Sequence, residues 1–156
     1  MIRRASIDDI DSIIKLGVWL ISAGAYDHTM ISYRECINRI GKAIRSPNEW
    51  CGVAEHNDQI VGFLIMVLVP YWWSASEHYA LDDGIFCTRP GLGRKLVAAG
   101  SAWAFNRGAK EVMISLTSRT NTARSALALM KRSDFTERGV VISMGLTDVK
   151  SAKKVA

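Results

Sequence analysis

Glycines and arginines stand together in the segment 88–94, between an apolar run that ends at Cys87 and a helical pattern that follows. Gly91 and Gly93 let the backbone approach a ligand closely and adopt positive φ. The first N–H groups of a helix lack intrahelical partners and lie at the positive end of its dipole, so a phosphate suits them. Arg89 and Arg94 add positive charge. The segment predicts a phosphate-binding loop; the alternative is a tight turn that binds no ligand.

The loop differs from two familiar phosphate-binding motifs. No Gly-Lys-Ser/Thr follows it, so it is not a Walker A loop, and its Gly-x-Gly is not completed to the dinucleotide fingerprint. The strand before it and the strand after its helix form one βαβ crossover over about His78 to Ser115, which makes those two strands parallel. Ligands of such sheets bind at the carboxyl ends of strands, which here is the loop itself.

Hydrophobic periodicity predicts the elements that position this loop. Capping-box patterns, Ser6 with Asp9 and Ser32 with Glu35, mark the first two helices. The predicted helices are one over about Ile7–Ala23, one that begins after Ser32 and that Ser46-Pro47-Asn48 stops, one from Leu92 that Arg107-Gly108 ends, and Ala123–Lys131 capped by Asn121 or Thr122. The predicted strands are Ile2–Ala5, Trp50–Glu55, Gln59–Val69, His78–Cys87, Glu111–Leu116 and Gly139–Leu146. The order β-α-α-β-β-β-α-β-α-β predicts an α/β fold with an antiparallel start and one parallel crossover.

Composition limits the class of protein. The chain has 156 residues and a net charge of +5, which fits one domain, predicted as residues 1–148, followed by a short basic tail at 149–156. Three cysteines without a CxxC pair and three scattered histidines predict no metal site and no disulfide scaffold. The N-terminus has no apolar signal segment, and Pro70 interrupts the longest uncharged run. We therefore expect a cytoplasmic protein without a membrane partner. No nucleic-acid motif accompanies the positive charge, so nucleic acid is not a predicted partner.

The ordered segments resemble the GNAT superfamily of N-acetyltransferases, from Met1 to about Leu146. The matching segments are the opening Met-Ile-Arg-Arg-Ala-Ser-Ile-Asp-Asp-Ile-Asp, Val53-Ala54-Glu55 with Ile60-Val61-Gly62-Phe63, Gly91 to Val97 with Trp103-Ala104, Gly108 to Val112, and Asn121, Ala126-Leu127 and Phe135. The resemblance implies a mixed, mostly antiparallel sheet with a central parallel β-α-β crossover, flanked by about four helices. It implies acetyl-CoA as co-substrate and no metal. Short, divergent relatives of this kind look like those of phage genomes.

In this family, backbone amides of the glycine loop hold the pyrophosphate of the cofactor. The resemblance therefore implies these cofactor-binding residues: Ile85, Phe86, Cys87, Thr88, Arg89, Gly91, Leu92, Gly93, Arg94 and Asn121. The chain departs from the family pattern at Thr88, where an arginine or glutamine is usual. It departs again at Met130, where many members have a tyrosine that protonates the leaving thiolate, and at Asp134 in place of glycine.

The resemblance also suggests catalytic residues. Asp82 and Asp83 lie on the strand where members often have a carboxylate, which would accept the proton of the amine; the alternative is that they face solvent or pair with arginine. Tyr79 is a candidate donor to the leaving thiolate, as are Ser133, Cys87 or a water molecule. Cys87 itself is better explained as a small core residue than as a nucleophile.

Two functions follow from this pattern. The first is an acetyl-CoA-dependent N-acetyltransferase that moves an acetyl group to a primary amine of a small molecule or protein, by direct attack on the thioester. The alternative is a catalytically weak or inactive member that binds CoA or a protein partner in a regulatory role. Tyr26 and Tyr71-Trp72-Trp73 would line an acceptor pocket or pack in the core. An exposed tryptophan pair would favour a protein acceptor or a homodimer.

Overall fold

A computed structural model of the protein describes residues 1–23, 30–115, 126–128 and 130–137. Several sequence predictions lie outside the described residues: Tyr26, the cofactor residue Asn121, the helix cap Thr122, the last strand Gly139–Leu146 and the tail 149–156. The predicted fourth helix is described in part, since residues 126–128, 130 and 131 are helical.

The described chain forms a five-stranded sheet in the order β1-β2-β3-β4-β5. Every neighbouring pair is antiparallel except β4 and β5, which are parallel. The strands are β1 Ile2–Arg4, β2 Glu49–His56, β3 Gln59–Tyr71, β4 Ser74–Cys87 and β5 Ala109–Met113. A 3-10 turn at Ile7–Asp9 leads into α1, Ile10–Ala23; the other helices are α2, Tyr33–Arg45, and α3, Leu92–Asn106. The predicted α/β fold with a mostly antiparallel sheet is confirmed.

The first predicted capping box forms, and of the second the bond to the Ser32 hydroxyl forms. The backbone N–H of Ser6 donates to the Asp9 carboxylate at 2.7 Å, and the Ser32 hydroxyl accepts from the Glu35 amide at 3.4 Å. Asp9 is buried, and Arg3 donates to both of its oxygens at 2.7 and 2.8 Å. This bidentate contact is the main reason why the pKa of Asp9 falls to about 2. The start of α1 is thereby held against β1.

Two hairpins order the centre of the sheet. Asn57 and Asp58 both adopt left-handed φ, 50° and 58°, which a tight two-residue turn between twisted strands requires, so the first predicted hairpin is confirmed. The second is longer than predicted, because β3 continues through Pro70 and Tyr71 and β4 begins at Ser74 rather than His78. The start of β4 is polar and exposed, and therefore lacks the apolar pattern that signals a strand.

The sheet separates two hydrophobic cores. One core lies between one face of the sheet and helices α1 and α2, and it includes Ile13, Ile40, Cys51, Val53, Phe63, Ile65 and Phe86. The other core lies between the opposite face of the sheet and α3, and it includes Trp50, Ala54, Leu64, Met66, Ala80, Leu96 and Ala104. α3 lies close to the sheet at Gly100, where an added Cβ would be 2.8 Å from Leu64 Cδ2. The sheet therefore positions the loop before α3 rigidly.

The fifth strand also differs from prediction. It runs from Ala109 to Met113 and not from Glu111 to Leu116. Gly108, at φ 85°, turns the chain directly into the strand, and Ala109 pairs with His78 of β4. Of the described helices, none is long and apolar enough to cross a membrane. Within the described ranges, no group of three histidine, cysteine or carboxylate side chains is placed to hold a metal ion.

Substitution of Gly52 tests how tightly β2 is packed. A Cβ at this position would meet the ring of buried Trp50 at 2.0 Å, so Gly52→Ala must displace the indole. We expect the free energy of unfolding to fall by about 1–3 kcal/mol, measured by urea denaturation.

Gly17→Ala is the matched control, because Gly17 lies inside a helix and the one described atom that its added Cβ would meet is Phe63 Cζ, at 3.9 Å. It should stabilise the protein by about 0.4–1 kcal/mol. Equal effects of the two substitutions would contradict this account of Gly52.

Candidate active site

The site is built where β4 parts from β5. β4 pairs with β3 as far as Cys87, but its pairing with β5 ends at Leu81 opposite Met113. In the same region the register between β3 and β4 shifts by one residue, because Met66 pairs with Asp82 whereas its neighbour Ile65 pairs with Gly84. Asp83 is thus the extra residue of a β-bulge. Beyond Leu81, one edge of β4 has no strand partner among the described residues, so its backbone groups can receive an extended ligand.

The bulge sends its two aspartates to different surroundings. Asp82 lies opposite Met66, on the α3 side, and its Oδ1 accepts the Ser115 amide at 2.6 Å. Burial raises the pKa of Asp82 to about 6, despite that hydrogen bond, and the charge of Asp83 adds to the rise. Asp83 is exposed and pairs with Arg39 of α2 at 2.7 Å. Asp82 is therefore the carboxylate suited to accept a proton near neutral pH, and Asp83 is bound to arginine.

The predicted phosphate site lies at the N-terminus of α3. Gly91 is the N-cap in a left-handed conformation, φ 81°, and none of the described side chains caps this end of the helix. Within the described part of the chain, the amides of Leu92, Gly93 and Arg94 donate to no protein acceptor. Arg89 is exposed beside this loop. Three free amides at a helix dipole's positive end form a group that can bind a phosphate.

Two other residues of the predicted loop have structural partners. The Thr88 amide and hydroxyl both donate to the Val61 carbonyl, at 2.9 and 3.1 Å. Thr88 therefore ties the end of β4 to β3. The Cys87 thiol donates to the Arg89 carbonyl at 3.4 Å, and burial raises the pKa of this thiol. Its Sγ lies 2.8 Å from where a Cβ of Gly62 would be, so Cys87 fills a packed position and its raised pKa makes it a poor nucleophile.

Side chains of the last β4 residues alternate between the two cores. Ile85 and Cys87 pack on the α3 side, whereas Phe86 is buried under α1, 4.8 Å from the Trp19 ring between centroids. Because these side chains point to both faces of the sheet, it is the backbone of these residues that lines the gap between β4 and β5. Trp19 was not predicted as a neighbour of the site, since its spacing on α1 signals nothing beyond a helix.

The structure does not bring Tyr79 to the bulge. Tyr79 precedes Asp82 by three residues, about 10 Å along a strand, and its ring packs 5.0 Å from that of Tyr71. Met130 is buried, 5% exposed, and accepts backbone hydrogen bonds from Ser133 and Phe135 at 2.9 and 3.1 Å. Asp134 adopts φ 63° and takes the left-handed conformation that a glycine would favour.

Comparison with known proteins identifies a family. The model of the acetyltransferase (GNAT) family matches residues 18–135. Among curated proteins, none matches the sequence at a significant level.

Solved structures share the fold. An aminoglycoside acetyltransferase from an uncultured soil metagenomic sample, in complex with sisomicin, is 18% identical over 93% of both chains, with a TM-score of 0.67. An aminoglycoside 6'-N-acetyltransferase from Acinetobacter haemolyticus is 14% identical over 93% of this chain and 97% of that one, with a TM-score of 0.70. An aminoglycoside N-acetyltransferase in complex with CoA is 18% identical over 93% of this chain and 98% of its own, with a TM-score of 0.67.

The raised pKa of Asp82 has a consequence for stability. Because the pKa is about 6 in the folded chain against an ordinary 3.8, the folded state binds the proton more tightly. The ionised carboxylate therefore lowers the free energy of unfolding once the pH exceeds 3.8, the ordinary pKa that applies in the unfolded chain. The full loss is reached when the pH is above about 6. Asp82→Asn removes this charge and retains an oxygen for the Ser115 amide. We expect the variant to be more stable than wild type at about pH 8, with the difference closing at about pH 4.

Urea denaturation of both proteins at about pH 4, 6 and 8 measures this difference in the free energy of unfolding. Asp83→Asn is the comparison, because it leaves the Asp82 carboxylate in place and weakens the ion pair with Arg39, so it should gain less at high pH than Asp82→Asn. Equal stability of wild type and Asp82→Asn across the range would contradict the burial of this carboxylate.

Proposed function

We propose a reaction for this chain, which belongs to the acetyltransferase (GNAT) family: transfer of an acetyl group from acetyl-CoA to a primary amine. The observation that supports it most directly is the set of unpartnered amides at Leu92, Gly93 and Arg94, on a left-handed glycine cap. These groups suit the pyrophosphate of CoA. Arg89 and Arg94 supply positive charge for its phosphates.

The unpaired edge of β4 suits the next part of the same ligand. CoA carries an extended pantetheine arm with two amides, which can bond to strand backbone as a neighbouring strand would. The edge from Asp82 to Cys87 leads from the gap at the bulge to the loop at Thr88. A pyrophosphate at the α3 N-terminus therefore sends the arm toward Asp82.

Asp82 serves as the base in this proposal. An amine is protonated near neutral pH and must lose a proton before its nitrogen can attack a carbonyl. A carboxylate with a pKa of about 6 is largely ionised at pH 7 and accepts that proton. Bound acetyl-CoA supplies the activated acetyl thioester. The C–N bond forms as the C–S bond breaks, and the thiolate takes up a proton.

Met130 favours the second candidate, a weak or inactive member that binds CoA in a regulatory role. A thioether donates no proton, and this one is buried. General acid help is typically worth about 10²–10⁴-fold, so the chain must release the thiolate without it or use another donor. A free thiol has a pKa of about 8.5, which makes the thiolate a fair leaving group without assistance.

The proposed acceptor is a small-molecule amine, with a protein amine as the alternative. Structural relatives include aminoglycoside acetyltransferases. The net charge of +5 disfavours polycations of that kind and favours a neutral or singly charged amine. Trp72 and Trp73 are 90% and 64% exposed at the β3–β4 turn, a surface that favours a protein acceptor.

Paired glycine substitutions test the CoA site. Gly91 and Gly108 flank α3 and have φ values of 81° and 85°, and an added Cβ at either would meet no atom of the described residues within 4 Å. Alanine at either position therefore strains the backbone to a similar extent, by about 1–2 kcal/mol. We expect Gly91→Ala to weaken CoA binding about tenfold or more, and Gly108→Ala to leave it unchanged, by calorimetry. If wild type binds no CoA, the proposal is wrong.

Asp82→Asn tests the chemistry. We expect kcat to fall by about 10²–10⁴-fold with the Kd of CoA unchanged, because only proton transfer is removed. The kcat/KM of wild type should decrease below a pKa of about 6, as Asp82 becomes protonated. Thiol release with a panel of amines measures both. CoA binding by wild type without thiol release from any amine would favour the regulatory alternative.

A further inference from the structure

One arginine joins a buried carboxylate to the bulge. Arg39 of α2 donates through Nη1 to Glu49 Oε2 at 2.5 Å and through Nε to Asp83 Oδ2 at 2.7 Å. Glu49 begins β2 and is only 4% exposed. Lys42, one turn along α2, is a second cation for Glu49 at 3.3 Å; its side chain is 70% exposed. Among the described ion pairs, Arg39 is the one that links α2 to β4.

Burial of Glu49 orders this arginine. A carboxylate shielded from water needs a charged partner, so Arg39 is held in place even without Asp83. An exposed ion pair usually contributes little, because two flexible side chains must be immobilised. Here one of them is already fixed by Glu49. The bond to Asp83 therefore loses less entropy than an ordinary surface pair and restrains the strand more strongly.

The restrained residue is the extra one of the bulge. A bulge residue has no partner across the ladder, and the contact with Arg39 is the restraint that the structure shows on the Asp83 side chain. Asp83 is joined directly to Asp82 and Gly84, and Gly84 has φ 152°, where an added Cβ would lie 3.4 Å from Phe63 Cε2. Movement of Asp83 would rotate the backbone that aims Asp82 at Ser115.

We propose that Arg39 is a positioning residue that fixes the bulge through Asp83, so that the Asp82 carboxylate and the β4 backbone after it are held toward the cofactor gap. This inference rests on the proposed function, in which Asp82 touches the acceptor. Arg39 acts through Asp83 and does not itself contact the reacting atoms. A displacement of a catalytic group by 1 Å can cost about 10²-fold in rate, so a small loosening of the bulge is measurable.

Asp83→Ala is the main test, because it removes the contact and leaves the buried Arg39–Glu49 pair intact. We expect kcat to fall about 10- to 100-fold while the Kd of CoA changes by less than about twofold. Asp83→Asn keeps an oxygen for the Arg39 guanidinium and should retain most of the wild-type kcat. Lys42→Met, on the same helix and bound to the same Glu49, should leave kcat unchanged.

Three results would overturn the inference: an Asp83→Ala enzyme with wild-type kcat, an Asp83→Asn enzyme as impaired as Asp83→Ala, or a Lys42→Met enzyme with the same loss. The first removes any effect on rate. The second shows that the hydrogen bond to Arg39 is not the cause. The third shows a general effect of the charge network.

Hydrogen exchange decides the matter even if wild type transfers no acetyl group. In that case the proposed function fails on its own, and the restraint on the bulge is measured directly. Asp83→Ala should speed exchange in peptides covering residues 82–87, while peptides of β2 and the start of β3 keep wild-type protection. Unchanged exchange at the bulge, or faster exchange over the whole sheet, would contradict the role of Arg39.

Discussion

The early end of the β4–β5 ladder is the constraint on which the candidate site depends. Parallel pairing stops at Leu81 and Met113, whereas β4 remains paired with β3 up to Cys87. Where the ladder ends, the Ser115 amide loses a strand partner, and the Asp82 carboxylate accepts it instead. One bond thus satisfies an amide at the edge of the gap and holds a carboxylate beside it. The raised pKa of Asp82 follows from this half-enclosed position.

Local signals predicted most of the elements. Apolar spacing at 3.6 residues, Ser-x-x-acid caps and the Asn57-Asp58 turn have local physical causes, and the helices and the first hairpin follow them. The positions at which β4 and β5 begin have no such local cause in the sequence. Three of the four residues from Ser74 to Glu77 are polar and the segment is largely exposed, so it becomes a strand only because β3 lies beside it. β5 begins at Ala109 because it pairs with β4 from that residue, not because of its own apolar run.

The candidate site was predicted unevenly for the same reason. The glycine loop is contiguous in sequence, so its helix N-terminus could be identified directly. Asp82 and Asp83 are chemically identical neighbours, and only the bulge distinguishes them. Their partners, Ser115 and Arg39, lie 33 and 44 residues away along the chain. No spacing rule predicts such contacts, since they depend on where β5 leaves the sheet and where α2 crosses it.

The bulge also bears on how the chain could vary. Ala80 packs on the α3 side before it, and Ile85 and Cys87 pack on that side after it. Side chains of a strand alternate between the two faces of a sheet, so residues an odd number of positions apart, such as Ala80 and Ile85, would ordinarily lie on opposite faces. The extra residue of the bulge places both on the same face. A strand shortened by that one residue would keep every flanking side chain in its present core. The fold therefore does not depend on the residue at position 83, although the proposed chemistry does. The sheet would survive its loss, and selection for the fold alone would not preserve the longer strand.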